Sequence, residues 1–239
     1  MNGAPGSSKA AEFSSISVLI PTYNYGRFLP QAIESVLAQT VAPLDIMVAD
    51  DGSTDDTAAV VRSYGAAVAY RRFAHAGVYS VRQAILPEIR GDWFLNLDAD
   101  NWIHPDFLEK MQLAIRERSR DEFLAFVYPD MELFGDAVGR VARPEFDVAR
   151  LKRKNYLDMN SVIRTAAARR FGFDAAFNSG QGDYDFFLTL AKNGYRGARV
   201  PEAVLHYRVH GDSISQAVAR RRTQVDIARR IVRKHRDFY

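Results

Sequence analysis

Short apolar runs alternate with helical patterns along the first half of the chain. Four runs rich in β-branched and aromatic residues predict strands, at residues 16–20, 46–49, 68–70 and 93–97. Between and after them, apolar residues that recur every three or four positions predict helices, at residues 28–37, 54–64, 77–89 and 105–118. This alternation predicts a mostly parallel sheet with right-handed crossovers and helices on its faces.

The second half of the chain is less regular. Apolar runs predict strands at residues 123–127, 160–164 and 200–207, and helices at residues 165–171 and 183–192. A segment interrupted by Gly139 and Pro144, residues 135–153, predicts a loop or a short hairpin. We expect both halves to share one sheet and one cleft, with the second half forming the far wall.

Bulk composition narrows the class of protein. The 239 residues are 47% apolar and 26% charged, enough for one sizeable α/β domain or two small ones. The sequence contains no cysteine, which excludes structural disulfides and thiolate zinc sites and fits a reducing compartment. It contains no apolar run long enough for a spanning helix. Residues 1–15 are rich in Gly, Ala and Ser, and predict a disordered lead or partly a cloning remnant, without a signal-peptide core.

Basic residues are concentrated at the C-terminus, although the net charge is only +3. Residues 217–236 predict a long basic helix, and eight of its side chains are cationic: Arg220, Arg221, Arg222, Arg229, Arg230, Arg233, Lys234 and Arg236. This helix is either a solvated face or a contact for an anionic partner such as a membrane surface. We expect a cytoplasmic protein for which the helix offers peripheral contact with the inner face of a membrane.

Polar clusters follow three of the four predicted strands, where ligands bind in sheets of this type. They are Pro21-Thr22-Tyr23-Asn24, Asp50-Asp51-Gly52-Ser53 and Asp98-Ala99-Asp100-Asn101. In extended backbone Asp98 and Asp100 point the same way, and two close carboxylates repel unless a cation neutralises them. Oxygen ligands without cysteine favour Mg²⁺ or Mn²⁺. A solvated turn is the alternative interpretation.

The remaining candidate side chains each have a structural and a functional interpretation. One carboxylate of the Asp50-Asp51 pair either caps a turn or accepts a hydrogen bond from a nucleobase, and Tyr23 either stacks on that base or lies at the rim. Asp183 opens a helix, where it is either a cap or a general base. His210 follows a predicted strand in a polar stretch that suits a diphosphate or metal contact. A single histidine is more often structural.

Together these segments resemble the family 2 glycosyltransferases, which have the GT-A fold. The resemblance runs from about residue 16 to residue 215 and rests on the segments 18–24, 35–40, 48–55, 77–82, 98–100, 182–185 and 207–210. It implies one Rossmann-like GT-A domain at residues 16–215, with a nucleotide-binding half at 16–104 and an acceptor and catalytic half at 105–215. A basic C-terminal helix follows at residues 216–239.

The resemblance also implies an activity and residue roles. The chain would transfer a sugar from a nucleotide-sugar, with a UDP-sugar expected first, to a hydroxyl of a glycan, a lipid-linked sugar or a protein, with inversion. Asp183 would be the base, and Asp100, with His210, would bind Mn²⁺ or Mg²⁺. The donor would contact Pro21, Thr22, Tyr23, Asn24, Asp50, Asp51, Arg82, Asp98, Ala99 and Arg208.

The chain departs from the family pattern at two positions. Gly182 stands where an acid usually precedes the catalytic aspartate, and Asn101 stands where another aspartate often follows the Asp-x-Asp pair. The first departure bears on acceptor contacts and the second on metal affinity. Neither departure removes the expected base or the main metal ligand, so we still expect activity. The Gly182 departure leaves open a catalytically silent module that binds a nucleotide-sugar or glycan.

Two further classes of protein are less well supported. A nucleotidyltransferase would need a Gly-rich phosphate loop with a basic residue after the first strand, where this chain has residues 21–24, Pro-Thr-Tyr-Asn. Nucleic-acid binding through the C-terminal arginines lacks a recognised module, so we expect no nucleic-acid partner.

Overall fold

The computed structural model describes residues 14–211 and 223–239, so the predicted disordered lead lies almost entirely outside the described residues. Within these ranges the strands are β1 (Ile16–Thr22), β2 (Asp45–Asp50), β3 (Ala69–Arg72), β4 (Trp93–Asn96), β5 (Trp102–Ile103), β6 (Leu124–Gly135), β7 (Gly139–Val141), β8 (Val162–Arg164) and β9 (Arg196–Val209). The helices are α1 (Leu29–Leu37), α2 (Thr57–Ser63), α3 (Val78–Ile85), α4 (Phe107–Glu117), α5 (Val148–Arg153), α6 (Thr165–Phe171), α7 (Gly182–Lys192) and α8 (Thr223–Lys234).

These strands form one sheet in the order β3-β2-β1-β4-β8-β6-β9-β5, with β7 paired to β6. The pairs β1 with β2, β1 with β4 and β2 with β3 are parallel, as the strand and helix alternation predicts. Beyond β4 the sheet is mixed, because β8 runs antiparallel to both of its neighbours while β6 and β9 are parallel. The two halves of the chain therefore share one sheet, which fixes the first half relative to the second.

Both faces of the sheet are covered, which explains why its strands read as continuous apolar runs. On β1, Val18 and Ile20 belong to one buried cluster, which includes Phe107 of α4. Leu19 points the other way and belongs to a second cluster, which includes Phe187 of α7. With apolar contacts on both sides, the strands are held rigidly and their carboxyl ends become a fixed edge on which polar side chains stand.

The second half differs from its predicted elements in two places. Strand β6 continues to Gly135 rather than ending at residue 127, because residues 128–135 pair with β9 across a register shift between Pro129 and Asp130. The predicted loop or hairpin forms the β6–β7 hairpin, and then contains the unpredicted helix α5. The side chain of Asp147 caps α5 by accepting from the backbone N–H of Arg150.

The predicted basic helix is shorter in the described residues and is not a free tail. Helix α8 begins at Thr223, and residues 217–222 of the prediction lie outside the described residues. Ile227 and Ile231 of α8 are each 2% exposed and belong to the same buried cluster as Phe186 of α7. Within residues 14–211 and 223–239, no helix combines the length and apolar character needed to cross a membrane.

Candidate active site

A cavity of about 410 Å³ opens at the carboxyl ends of β1, β2 and β4, within the size range of small-molecule sites. Nine of the residues predicted to form the site line it: Pro21, Thr22, Tyr23, Asp51, Arg82, Asp98, Ala99, Asp100 and Asp183. The other four predicted residues, Asn24, Asp50, Arg208 and His210, surround the cavity without lining it. The edge of the parallel sheet thus brings together residues from positions 21 to 183.

Asp50 and Asn24 build the turns beside the cavity. Asp50 is fully buried, and its Oδ1 accepts from the backbone N–H of Ser53 at 2.8 Å. The backbone N–H of Asn24 donates to the Ser53 hydroxyl at 2.9 Å, while its side-chain oxygen accepts from the N–H of Thr54 at 2.8 Å. These bonds fasten the loop after β1 to the turn after β2, so both residues shape the wall rather than face its interior.

Asp51 and Tyr23 stand together at one end of the cavity. The Asp51 carboxylate accepts from the backbone N–H groups of Ala76 and Gly77 at 2.8 and 2.9 Å, and lies 3.0 Å from His75 Nδ1. The ring of His75 stacks on Tyr23 with centroids 4.1 Å apart. Tyr23 is 41% exposed and offers its remaining aromatic surface to a ligand. His75 is thus a further member of this end of the site.

Asp98 is held by two long-range partners. Arg82, only 3% exposed, donates from Nη2 to Asp98 Oδ1 at 2.7 Å and from Nε to Asn96 at 2.8 Å. The side chain of Asn160 donates to Asp98 Oδ2 at 2.9 Å and accepts from the Asp98 backbone N–H at 2.7 Å. Burial raises the pKa of Asp98 above its ordinary value, and the Arg82 charge opposes that shift.

Asp100 meets His210 although 110 residues separate them, with His210 Nε2 at 2.9 Å from Asp100 Oδ2. Asn101 makes this meeting possible, because its buried side-chain oxygen accepts from the backbone N–H of Arg208 at 2.9 Å. Arg208 Nε in turn donates to the Asp100 carbonyl at 3.0 Å. Burial raises the pKa of Asp100, and the hydrogen bond from His210 opposes the shift. Asn101, a departure from the family pattern, therefore fastens the end of β9 to the Asp-x-Asp turn.

Asp100 and His210 fit a divalent cation that a ligand helps to hold. The Asp100 carboxylate suits Mn²⁺ or Mg²⁺ and His210 adds a nitrogen ligand, and Mg²⁺ often takes only one or two carboxylates from a protein besides substrate phosphates. Among the described residues, no group of three or more His, Cys, Asp or Glu side chains could hold a metal. The donor set therefore leaves most coordination positions to oxygens of a bound ligand or of water.

Asp183 stands on the first turn of α7. Its Oδ1 accepts from the backbone N–H of Tyr184 at 2.8 Å, and its Oδ2 accepts from the side chain of Asn155 at 3.0 Å. Burial, followed by the negative charge of Asp158, raises the pKa of Asp183 to about 6. A carboxylate with such a pKa is ionised at neutral pH and still basic enough to take a proton.

Gly182 is explained by its neighbour Tyr79. A Cβ atom at position 182 would lie 2.5 Å from carbons of the Tyr79 ring, closer than any side chain allows. The Tyr79 hydroxyl accepts from the backbone N–H of Asp183 at 2.9 Å. Tyr79 therefore occupies the space that a larger residue before Asp183 would need. This departure from the family pattern changes the wall of the site and leaves Asp183 in the cavity.

Sequence reasoning missed several residues around the cavity: His75 as a stacking partner, Tyr79, Asn155, Asp158, Asn160 and Asn178. The side-chain oxygen of Asn178 accepts from the backbone N–H of Tyr79 at 2.8 Å across 99 residues. Such contacts leave no periodic signal in the sequence. A weak signal existed for Tyr79, which lies in the segment 77–82 that contributes to the resemblance.

The chain matches known proteins over most of its length. The family model described as Glycosyl transferase family 2 matches residues 17–177. Chondroitin synthase of Escherichia coli is 29% identical over 187 residues, which are 75% of this chain and 27% of that protein. Hyaluronan synthase of Pasteurella multocida is 28% identical over 213 residues, 84% of this chain and 21% of that protein. The chain spans about a quarter of the length of these curated relatives.

Solved structures share the fold. The crystal structure of S. aureus TarS in complex with UDP-GlcNAc superposes with a TM-score of 0.73 at 20% identity, over 84% of this chain and 60% of that one. Mannosyltransferase PcManGT from Pyrobaculum calidifontis, in complex with GDP-Man and Mn²⁺, superposes with a TM-score of 0.65 at 17% identity, over 85% of this chain and 59% of that one. The likeness confirms the predicted α/β fold of the GT-A glycosyltransferases.

The raised pKa of Asp183 predicts how one substitution changes stability with pH. The folded protein binds this proton more tightly than the unfolded chain, whose pKa is near 3.8. The group therefore favours folding fully below pH 4, and that contribution is lost as the pH rises through about 6. Relative to the parent protein, Asp183→Asn should be more stable at pH 7.5 than at pH 4, by about 2–3 kcal/mol in urea denaturation.

The matched control is Glu117→Gln, because the Glu117 side chain is 73% exposed. Its stability relative to the parent protein should be the same at both pH values. If the stability difference between Asp183→Asn and the parent protein does not change with pH, the raised pKa is wrong.

Proposed function

The chain belongs to glycosyl transferase family 2, and we propose on that premise that it transfers a sugar from a nucleotide-sugar to an acceptor hydroxyl with inversion. The observation that carries the proposal is the convergence on one cavity of Asp51 with Tyr23, of Asp98 with Asp100, and of Asp183. Asp51 with Tyr23 suits the nucleobase of the donor, and Asp98 with Asp100 suits its diphosphate. Asp183 suits the acceptor hydroxyl. In this proposal residues 16–104 bind the nucleotide and residues 105–215 supply the acceptor side.

The donor that we propose is a UDP-sugar. The UDP-GlcNAc bound to TarS supports this choice through the shared fold. A carboxylate has about four lone-pair sites, and the backbone N–H groups of Ala76 and Gly77 use two of those on Asp51. The remaining capacity can accept an N–H of the nucleobase, while the open surface of Tyr23 is available for stacking.

Asp183 is the general base of the proposed reaction. Its carboxylate takes the proton of the acceptor hydroxyl, and the acceptor oxygen forms a bond to the anomeric carbon of the donor sugar. The bond from that carbon to the diphosphate oxygen breaks, and its electron pair leaves with the nucleoside diphosphate. Attack on the face opposite the leaving group inverts the configuration. The hydrogen bonds from Tyr184 and Asn155 hold the carboxylate in place while it accepts the proton.

Asp100 and His210 are the residues that would hold Mn²⁺ or Mg²⁺. The ion would supply positive charge near the diphosphate, which gains negative charge as it leaves. Without a cation, the diphosphate would approach the carboxylates of Asp98 and Asp100 directly, which is electrostatically unfavourable. The Mn²⁺ in PcManGT supports this assignment.

Asp183→Asn should abolish turnover and preserve nucleotide binding. An amide cannot take the proton, and positioned base catalysis contributes about 10²–10⁴ in rate. Turnover is measured as transfer or as slow hydrolysis of UDP-sugars, and UDP affinity by calorimetry. Asp237→Asn, the same change at an exposed carboxylate paired with Lys192, is the control and should keep full turnover. Equal turnover in both variants would remove Asp183 from the mechanism. A parent protein that binds UDP-sugars without any turnover would instead favour a silent binding module.

A thermal-shift panel tests the donor and the metal together. It compares UDP, GDP, dTDP and CMP sugars, each with Mn²⁺ or with a chelator. At about 100 times its dissociation constant, a ligand stabilises by about 2.7 kcal/mol, a rise of roughly 5–10 °C for a chain of this size. We expect UDP-sugars with Mn²⁺ to give the largest shift, and Asp100→Asn to lose the part that depends on Mn²⁺. Asp136→Asn, at an exposed position, should keep it. Equal shifts with chelator would contradict metal binding.

The outer face of α8 supports contact with an anionic membrane, where a lipid-linked acceptor would be found. Arg229 of this helix has a 74% exposed side chain, and Arg233 and Arg236 follow on the same exposed side. Val225 and Val232 lie among them and are 55% and 54% exposed. Exposed valines between arginines suit the boundary between lipid headgroups and acyl chains.

Sedimentation with vesicles of phosphatidylcholine and phosphatidylserine tests this contact. Changing Arg229, Arg233 and Arg236 together to Gln should weaken binding on the order of 100-fold at low salt, since each basic residue contributes about 1 kcal/mol. The matched control changes three other exposed arginines to Gln, Arg62, Arg116 and Arg120, and should bind nearly as the parent protein does. Equal binding of both triple variants would exclude α8 as the contact.

A further inference from the structure

The first turn of α7 carries a second buried carboxylate, Asp185, which the proposed reaction does not use. Asp185 is 3% exposed. Its Oδ1 lies 2.9 Å from His235 Nε2, and its Oδ2 accepts from Lys234 Nζ at 2.8 Å. A buried carboxylate is strongly unfavourable unless it is paired, so these two partners stabilise the turn in this position.

Both partners come from the end of α8, 49 and 50 residues further along the chain. His235 is itself 2% exposed. Lys234 Nζ also lies 2.7 Å from Asp174 Oδ2. We call Asp174, Asp185, Lys234 and His235 the C-terminal clamp. It joins the last helix to two separate segments at the cavity.

One arm of the clamp reaches the segment before α7. Asp174 accepts from the backbone N–H of Ala176 at 2.9 Å and so caps the short helical turn Ala175–Phe177. Arg230 of α8 donates to the Ala176 carbonyl at 2.8 Å. This turn leads directly into residues 178–181, three of which line the cavity. The C-terminal helix therefore supports the chain on both sides of the cavity wall.

The other arm supports Asp183 itself. Asp183 and Asp185 share the first turn of α7, and the N–H of Tyr184 between them donates to Asp183 Oδ1. The N-cap residue of this helix, Gln181, is left-handed with φ of 63°, and its side chain makes no capping hydrogen bond. Ser, Thr, Asp and Asn are preferred at this position because their side chains fix the first turn of a helix. Here the Tyr79 hydroxyl and the C-terminal clamp do so instead.

We propose that helix α8 together with His235 is a positioning element of the active site, and that Asp185 is a positioning residue through which the C-terminal clamp fixes the carboxylate of Asp183. Ile227 and Ile231 anchor the same helix in the core beneath α7, so the clamp has a rigid support. A displacement of about 1 Å at a reacting group can reduce a rate on the order of 100-fold. The inference rests on the proposed function for the role of Asp183.

The test uses three single variants of the full chain, Asp185→Asn, His235→Gln and Lys234→Met. Each should lower kcat by about tenfold or more, with the UDP dissociation constant and the donor KM within about twofold of the parent values. Nucleotide binding should persist because Tyr23, Asp51 and Asp100 do not contact the clamp. In the same variants, hydrogen exchange of the amides at residues 182–187 should become faster.

Two further variants separate positioning from general loss of stability. Asp237→Asn breaks the exposed pair with Lys192 close to the clamp, and should leave kcat and exchange at residues 182–187 unchanged. Adding Lys234→Gln to Asp185→Asn offers an amide oxygen to the new amide, and should restore part of the lost kcat. If Asp185→Asn does not fold, the kcat and the hydrogen exchange of His235→Gln and Lys234→Met test the proposal instead, because each of these variants leaves Asp185 with one partner.

The outcomes for the clamp and for the proposed function are distinct. A parent protein without transfer or donor hydrolysis overturns the proposed function. A parent protein that turns over, together with folded clamp variants that keep its kcat and its exchange rates, overturns the clamp. Loss of UDP affinity in parallel with kcat would also overturn it, because the effect would then extend beyond Asp183.

Discussion

Half-buried carboxylates at the end of an apolar sheet are stabilised by hydrogen-bond donors from distant segments, and this constraint organises the site. Asp98 takes its donors from Arg82 and Asn160. Asp100 takes His210, 110 residues away in the chain. Each of these pairings joins a distant segment to the edge of the sheet, in addition to the strand pairing that the two halves share. The cavity lies between the segments that these carboxylates contact.

The same constraint gives the cavity its chemical character. Burial raises the pKa of Asp98, Asp100 and Asp183, which means that negative charge there is unfavourable without compensation. A cation at Asp100 and a proton at Asp183 are two forms of compensation, and the proposed transfer uses both. The two departures from the family pattern are accommodated within this arrangement. Asn101 fastens β9 to the Asp-x-Asp turn, and Gly182 makes room for the ring of Tyr79.

The C-terminal helix has two faces with different surroundings. Its inner face carries Ile227 and Ile231 into the core and pairs Lys234 with Asp185 beside the catalytic turn. Its outer face presents Arg229 and Val232 to solvent. The number of basic residues in the sequence does not distinguish among them. In the folded helix, some basic side chains neutralise a buried carboxylate, and others remain available to an anionic partner. The proposed membrane contact and the proposed clamp therefore concern different residues of one helix.

The sequence by itself determined the parallel half of the sheet and the residues at its edge, because apolar runs and the polar clusters that end them are local patterns. It also determined the family, since matching segments at residues 18–24, 48–55 and 98–100 need no tertiary information. It did not predict α5, which at six residues is too short to show a period. Only the tertiary structure decided that Asn160 holds Asp98 and that Asp185 is paired from α8. Hydrogen bonds between residues 49 to 110 positions apart depend on where the chain returns, and no local pattern records that.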